Sequence, residues 1–400
     1  MKTKLVYTFT LLAFASSAYA NGFVYVHTNE IDNKIIVYKK NGDGSLTELK
    51  RIPTSGKGVG ETRPLHNGKP GPDPLASGDA LIMAKNSKFL FAPNAGDNSV
   101  SAFKIGTDGM PTLLDREASN GDIVNTLAYH EASNTLYVGH LRGPQHIKVM
   151  DFKNDDLVLR KNGHSLETEK LKGRLQSHVL VSPKGDYLLS NVLADQKPDG
   201  SGIHGSEEEN LVVFPIGKDG SLATPHFHTL KAGKEPFSSI FVKTGENMFL
   251  TLFSESNNVT LHQLGSDGKV TQLSDAKGDD SKVKGKPLEY CWVALTPDHS
   301  HAYVTSFGTS DVASFRIDGS KVSYAKGGLA KVPPGNDFKA GAGIPTSAPV
   351  DSWGSDDGYF YQLYGAIGKL GAYKMTKGGG LKKIALYDVP VNSIQGITGY

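Results

Sequence analysis

The chain has 400 residues, with 43 Lys and Arg against 41 Asp and Glu, and a single cysteine, Cys291. So even a charge balance argues against a polyanion partner such as nucleic acid, whose binding needs basic excess. One cysteine excludes an intrachain disulfide, so an exported chain of this length must be stabilised by its core, as one large β domain.

Lys2 and Lys4 precede the apolar run Leu5 to Phe14, and Ala18-Tyr19-Ala20 offers a small-x-small cleavage pattern. This reads as a secretory leader over residues 1–20, too short and wrongly flanked for a transmembrane helix. The expected organisation is a leader at 1–20 and one domain at 21–400, secreted, or periplasmic in a bacterium. No later apolar run is long enough to span a bilayer.

From Phe23 one pattern returns seven times: an apolar strand, a small polar turn, an alternating strand, a Gly- or Asp-rich hairpin and another strand. It starts at Phe23, Phe89, Thr135, Tyr187, Met248, His301 and Tyr359. A recurrence of roughly 45 to 65 residues with several strands per unit is the signature of a propeller blade. The expected fold is all-β, a seven-bladed β-propeller. Asp43-Gly44, Asp108-Gly109, Asp219-Gly220, Asp267-Gly268 and Asp318-Gly319 fall at equivalent places and mark outer hairpins, Asp-Gly supplying the positive φ of tight turns.

Each unit but the first has an inner-strand candidate before it: Asp79–Met83, Asn125–Tyr129, His178–Val181, Ser239–Val242, Cys291–Leu295 and Pro349–Asp351. The segment Asn392–Tyr400 has no blade of its own, so it is expected to supply the first blade's inner strand and close the ring. Three stretches exceed what blades need: Gly56–Ser77 with Arg63 and His66, Gln196–Asn210 with His204, and Lys326–Ser347. Such insertions are either mobile surface or the walls of a binding face.

Asn94–Phe103, Ser177–Gly185 and Cys291–Pro297 resemble the lactonase-type seven-bladed propellers, a group that includes 6-phosphogluconolactonase-like and carboxymuconate-lactonizing proteins. The resemblance covers essentially the whole mature chain. It implies His, Arg and acidic side chains around the mouth of a central channel, with His178 matching a recurrent family histidine. Where relatives often show Gly-Pro-Arg-His, this chain reads Lys234-Glu-Pro-Phe-Ser-Ser239, so a paired Arg and His are missing there.

Opening or closing a lactone needs a group to move a proton and a donor to hold carboxylate or oxyanion charge. His178 is the expected acid or base, Arg142 the carboxylate anchor, and Glu255 or Asp195 the orienting acids. His140, His146 and Asp79 are expected to contact substrate. Asn258 opens an Asn-x-Thr glycosylation acceptor, meaningful in a eukaryotic host. The spacings His226-x-His228 and His299-x-His301 put two rings on one strand face without an assignable third ligand, so neither metal nor cofactor is expected. Cys291, in an apolar run, reads as a packing residue, and no Gly-x-Ser-x-Gly elbow occurs. The favoured function is hydrolysis or formation of a lactone of a carboxylated sugar or muconate-like compound. The alternative is a non-catalytic propeller binding a glycan, small ligand or protein, for which exposed Tyr361 and Tyr364 would speak.

Overall fold

A computed structural model of the chain describes residues 22–84, 87–197, 199, 201–243 and 247–400. The expected leader lies outside them, as do Pro198 and Gly200 of the second insertion. The described chain forms seven four-stranded antiparallel units, the blades of a propeller. In blade order the inner strands are Ile397–Gly399, Ile82–Met83, Asp122–His130, Arg174–Val181, Pro236–Val242, Tyr290–Leu295 and Pro349–Gly354. The C-terminal strand pairs with Gly22–His27, Val24 opposite Gly399 and Val26 opposite Ile397. Blades 3 and 4 are further fused by one pairing, Arg142 with Leu175.

Blade strands bury both faces, which is why they read as continuous apolar runs. In Gly22–His27, Phe23 and Tyr25 pack with Leu81, Leu90 and Phe103 of blade 2. Val24 and Val26 turn the other way, into a cluster holding Tyr359, Tyr361 and Leu363 of blade 7. Outer strands such as Leu46–Pro53 are largely exposed and carry the charge.

In four of the five Asp-Gly hairpins the division of labour is sharper than expected. Only the glycine has positive φ, 77–80° at Gly44, Gly109, Gly220 and Gly268. The aspartate side chain instead accepts the N–H two residues on, as in Ser45 N to Asp43 Oδ1 at 2.9 Å and Ser221 N to Asp219 Oδ1 at 3.0 Å. Neighbouring blades are laced by tyrosines that reach these outer turns. Tyr25 Oη donates to Gly109 O, Tyr137 Oη to Gly220 O, Tyr187 Oη to Ser266 O and Tyr361 Oη to Gly44 O, all at 2.7–3.0 Å. Tyr361 and Tyr364 are accordingly wholly buried, and present no aromatic surface to a ligand.

The first insertion does something the repeat did not foreshadow. Its end, Pro72–Asp79, runs along the propeller axis and touches four other blades. Leu75 N donates to Gln395 Oε1 of the chain leading into blade 1, and Asn125 of blade 3 donates to Leu75 O. Gly78 N donates to Ser177 O of blade 4, while Trp292 Nε1 of blade 6 donates to Ser77 O at 2.7 Å. The segment plugs the channel and divides it into two mouths. Asp73, Ala76 and Asp79 all take positive φ, between 50 and 68°. That conformation costs of order 1 kcal/mol or more per residue, offset by the hydrogen bonds to the surrounding blades.

Candidate active site

The chain enters several inner strands through a residue of positive φ: Gly173, Glu235, Glu289, Ala348 and Gly396. Glycine, having no Cβ, suits that backbone. Glutamate does not, and in blades 5 and 6 it stands there at φ of 59 and 57°. Both side chains line a cavity of about 320 Å³ at the mouth where inner strands begin, together with Asp73 from the plug and Glu255.

All three insertions wall this mouth. The first forms its own small hairpin, Arg63 pairing with Lys69 around a 3-10 turn at Pro64–His66. The second contributes Ile203, His204 and Gly205, and the third Gly341. Arg63 lies over the ring of Phe338, also from the third, 5.3 Å from its centroid. A Cβ on Gly205 would collide with Glu235, and one on Gly341 would come within 2.7 Å of Glu289 Oε1. These glycines let the walls close onto the acids.

The electrostatics are those of a proton-handling site. Burial pushes the Glu235 carboxyl up to about 7, against the hydrogen bond from Ser254 Oγ to Oε2 at 2.6 Å. Burial likewise lifts Glu289 to about 7, against the N–H of Gly341 on Oε1 at 2.9 Å and the charge of Arg63. Glu289 Oε2 is buried with no partner. Asp73 rises to about 6, chiefly by burial, with Arg63 opposing. Arg63 itself is half-buried, its charge disfavoured by desolvation. Its Nε is buried and unpartnered, and no ion pair to the guanidinium occurs among the described residues. A guanidinium with free donors beside carboxyls that titrate near neutrality can hold an oxyanion while a proton moves.

A family model described as "Lactonase, 7-bladed beta-propeller" matches residues 12–172. The fold is that of a seven-bladed propeller, and the matched part of the chain is similar to the lactonase type. Solved structures with the same fold include the periplasmic gluconolactonase of Pseudomonas aeruginosa, 15% identical with a TM-score of 0.70 over 95% of this chain and 98% of that one. A Bacteroides fragilis protein provisionally named a 6-phosphogluconolactonase is 16% identical, with a TM-score of 0.64 over 96% of this chain and 99% of that one. A Lactobacillus plantarum protein is 14% identical, with a TM-score of 0.68 over 95% and 99% of the two chains. No curated protein matches the sequence.

In this propeller the residues singled out from sequence are divided among three places. Glu255 lines the mouth just described. His178 and Asp79 form a pair at the opposite mouth, Nε2 to Oδ2 at 2.9 Å. Arg142, Asp195, His140 and His146 line neither mouth and instead hold the walls. Arg142 Nη2 donates to Pro64 O at 2.8 Å, steadying the hairpin that carries Arg63. Asp195 pairs with wholly buried Arg174 at 2.9 Å, and Arg174 also donates to Ser206 Oγ and to the carbonyls of Glu208 and Glu209, fixing the second insertion. His146 Nε2 donates to Arg174 O at 2.9 Å, and His140 Nε2 bonds Ser119 Oγ at 2.8 Å. Asn258 Nδ2 donates to Ala232 O. Cys291 lines the mouth that holds Glu235 and Glu289, but it is buried, and burial raises its thiol well above the usual range.

Sequence reasoning missed Glu235, Glu289, Asp73 and the role of Arg63. A signal existed: aligned on the inner strands, the residue before each is glycine or alanine in blades 1, 4 and 7 but glutamate in blades 5 and 6.

Proposed function

We propose that this propeller hydrolyses a lactone at the mouth lined by Arg63, Glu235 and Glu289. The observation that supports it is a half-buried guanidinium with a buried, unpartnered Nε in one cavity with two carboxyls raised to about 7. The ionised carboxylate of one glutamate takes a proton from water as the water oxygen attacks the lactone carbonyl carbon. Arg63 donates to the tetrahedral oxyanion. Collapse breaks the ring C–O bond, and the leaving alkoxide takes a proton from the other glutamate in its acid form, giving the hydroxy acid.

The sugar or muconate class expected from sequence narrows on charge. Asp73, Glu235, Glu255 and Glu289 surround a single Arg63, so a carboxylate or phosphate on the substrate would face acids. A hydroxylated, uncharged lactone suits this mouth better. Export, with residues 1–20 as leader and 21–400 as the mature propeller, belongs to the same proposal and rests on the leader sequence. The test is a pH-indicator assay of the mature protein on aldono- and alkyl-lactones, corrected for spontaneous opening, with Glu289→Gln and Arg63→Ala alongside. Turnover that both folded variants lose supports the reading. No turnover by the wild type on any lactone sinks it.

A further inference from the structure

The opposite mouth is a second built cavity, of about 400 Å³, that lactone chemistry leaves unused. Its floor is the far end of the plug, and its centre is His178 with Asp79. Ser239 N–H donates to His178 Nδ1 at 3.1 Å, so the ring proton must sit on Nε2, where it meets Asp79 Oδ2. Both ring nitrogens are thereby spent. The histidine can neither ligate a cation nor act as a base without breaking a bond. What it does is fix the Asp79 carboxylate, whose side chain is 57% exposed to the cavity.

Two further polar residues, Ser352 and Asp351, stand in the same cavity. Ser352 is 92% buried, lines the cavity and has an Oγ with no hydrogen-bond partner. Asp351 is 7% exposed; burial and the nearby Asp79 charge push its carboxyl up, against backbone N–H bonds from Ser352, Ile397 and Gly396. Trp353 adds an aromatic wall, its ring held by stacking on Tyr361 at 5.7 Å and 18°. Among the described residues no Lys or Arg lines the cavity.

We infer that this mouth is a second ligand site, for an uncharged polyhydroxylated molecule of mono- or disaccharide size. A hydroxyl both donates and accepts, and here a fixed carboxylate acceptor lies in one cavity with an unfilled serine hydroxyl. An aromatic ring suits the C–H face of a pyranose, and the lack of basic side chains disfavours sugar acids and phosphates. Two exposed carboxylates, Asp79 and Asp356, line the cavity, so an amine or metal ion is the competing ligand that the charged controls below measure.

The test is calorimetric titration of the mature protein with D-glucose, D-galactose and maltose, with gluconate, ethanolamine and calcium chloride as charged controls. Saturable binding of a neutral sugar is expected. Asp79→Asn, which keeps the shape and the acceptor for His178, should weaken it at least about tenfold. Ser352→Ala and Trp353→Ala should also weaken it, while Glu289→Gln at the other mouth should leave it unchanged. Because that last variant is inactive on the reading above, binding that survives in it separates the two sites. The proposal is overturned if no neutral sugar saturates the protein, if only the charged controls bind, or if sugar binding is lost in Glu289→Gln and kept in Asp79→Asn.

Discussion

Glu235 and Glu289 are the same structural position of two neighbouring blades. Each has left-handed backbone, and each carbonyl accepts the N–H that follows its blade's second strand, Ser254 N to Glu235 O at 3.0 Å and Phe307 N to Glu289 O at 3.1 Å. The repeat therefore places two carboxyls side by side where isolated sequence reading sees two unrelated glutamates. Burial is what chiefly raises each, and the charges of Glu255 and then Glu289 add to it at Glu235.

The first prediction concerns pH and stability. Both carboxyls are raised from 4.5 to about 7 in the folded state. Between those values the folded chain holds protons that the unfolded chain has released, so stability falls as pH rises through this window. Glu235→Gln removes that loss. The variant should be more stable than wild type by about 1–3 kcal/mol at pH 8 and no more stable at pH 4. Denaturant melts at the two pH values check it; an equal effect at both would show that Glu235 does not titrate in this window.

The same pair sets the activity profile. The attacking water needs an ionised glutamate, so kcat/KM for a lactone should rise through an apparent value near 7 and then fall as the acid partner is lost. In Glu289→Gln the rise should disappear, with activity down about 10²–10⁴-fold. A flat profile for the wild type between pH 5 and 9 would remove the glutamates from the chemistry.

Arg63 is expected to act on the oxyanion, so Arg63→Ala should lower kcat about 10²–10³-fold. Arg142 acts through Pro64 O on the hairpin beneath Arg63, and its loss should be milder, about tenfold. Lysine at position 142 should recover part of that loss, since it can still reach a carbonyl. Steady-state kinetics of the three variants on one lactone decide this. An Arg142→Ala defect as large as that of Arg63→Ala would mean Arg142 contacts substrate directly.

The blades were legible in the sequence because their second and third strands are sandwiched on both faces and most outer turns carry glycine, blade 3 turning on Asn154 and Asp155 instead. The site was less legible, for a geometric reason. His178 lies on an inner strand, as expected, but the pairing of Arg174–Val181 with its neighbour is irregular around Gln176 and His178. Which mouth a side chain reaches depends on such bulges, which leave no mark in composition. Arg142 and Asp195 have the chemistry of a binding site, yet their partners are a backbone carbonyl and a buried arginine brought close only by folding. The plug was hidden because Pro72–Asp79 lacks strand alternation and reads as the end of a loop.

Asp195 separates frame from chemistry. Its carboxylate is 7% exposed and meets a guanidinium that is fully buried. Removing it leaves Arg174 charged in the interior, and Asp195→Ala should cost about 3–5 kcal/mol in urea unfolding. Replacing both partners with apolar residues should be less damaging than losing one. A stable Asp195→Ala protein with a large fall in kcat would move Asp195 into the catalytic group instead.

The tyrosine lacing predicts how the first and last blades are held together. Tyr361 of blade 7 is fully buried and reaches Gly44 O in the outer hairpin of blade 1 at 3.0 Å. Tyr137 makes the equivalent reach from blade 3 to Gly220 O in blade 4 at 2.9 Å. In each Tyr→Phe variant the ring still fills its space while one carbonyl loses its donor, so each should cost about 1–2 kcal/mol. The two sites share no partner, and the double variant should lose close to the sum. Urea melts of the single and double variants measure both terms. If Tyr361→Phe is silent while Tyr137→Phe is not, the contact between blades 7 and 1 is held by the C-terminal strand alone, and the lacing does not operate there.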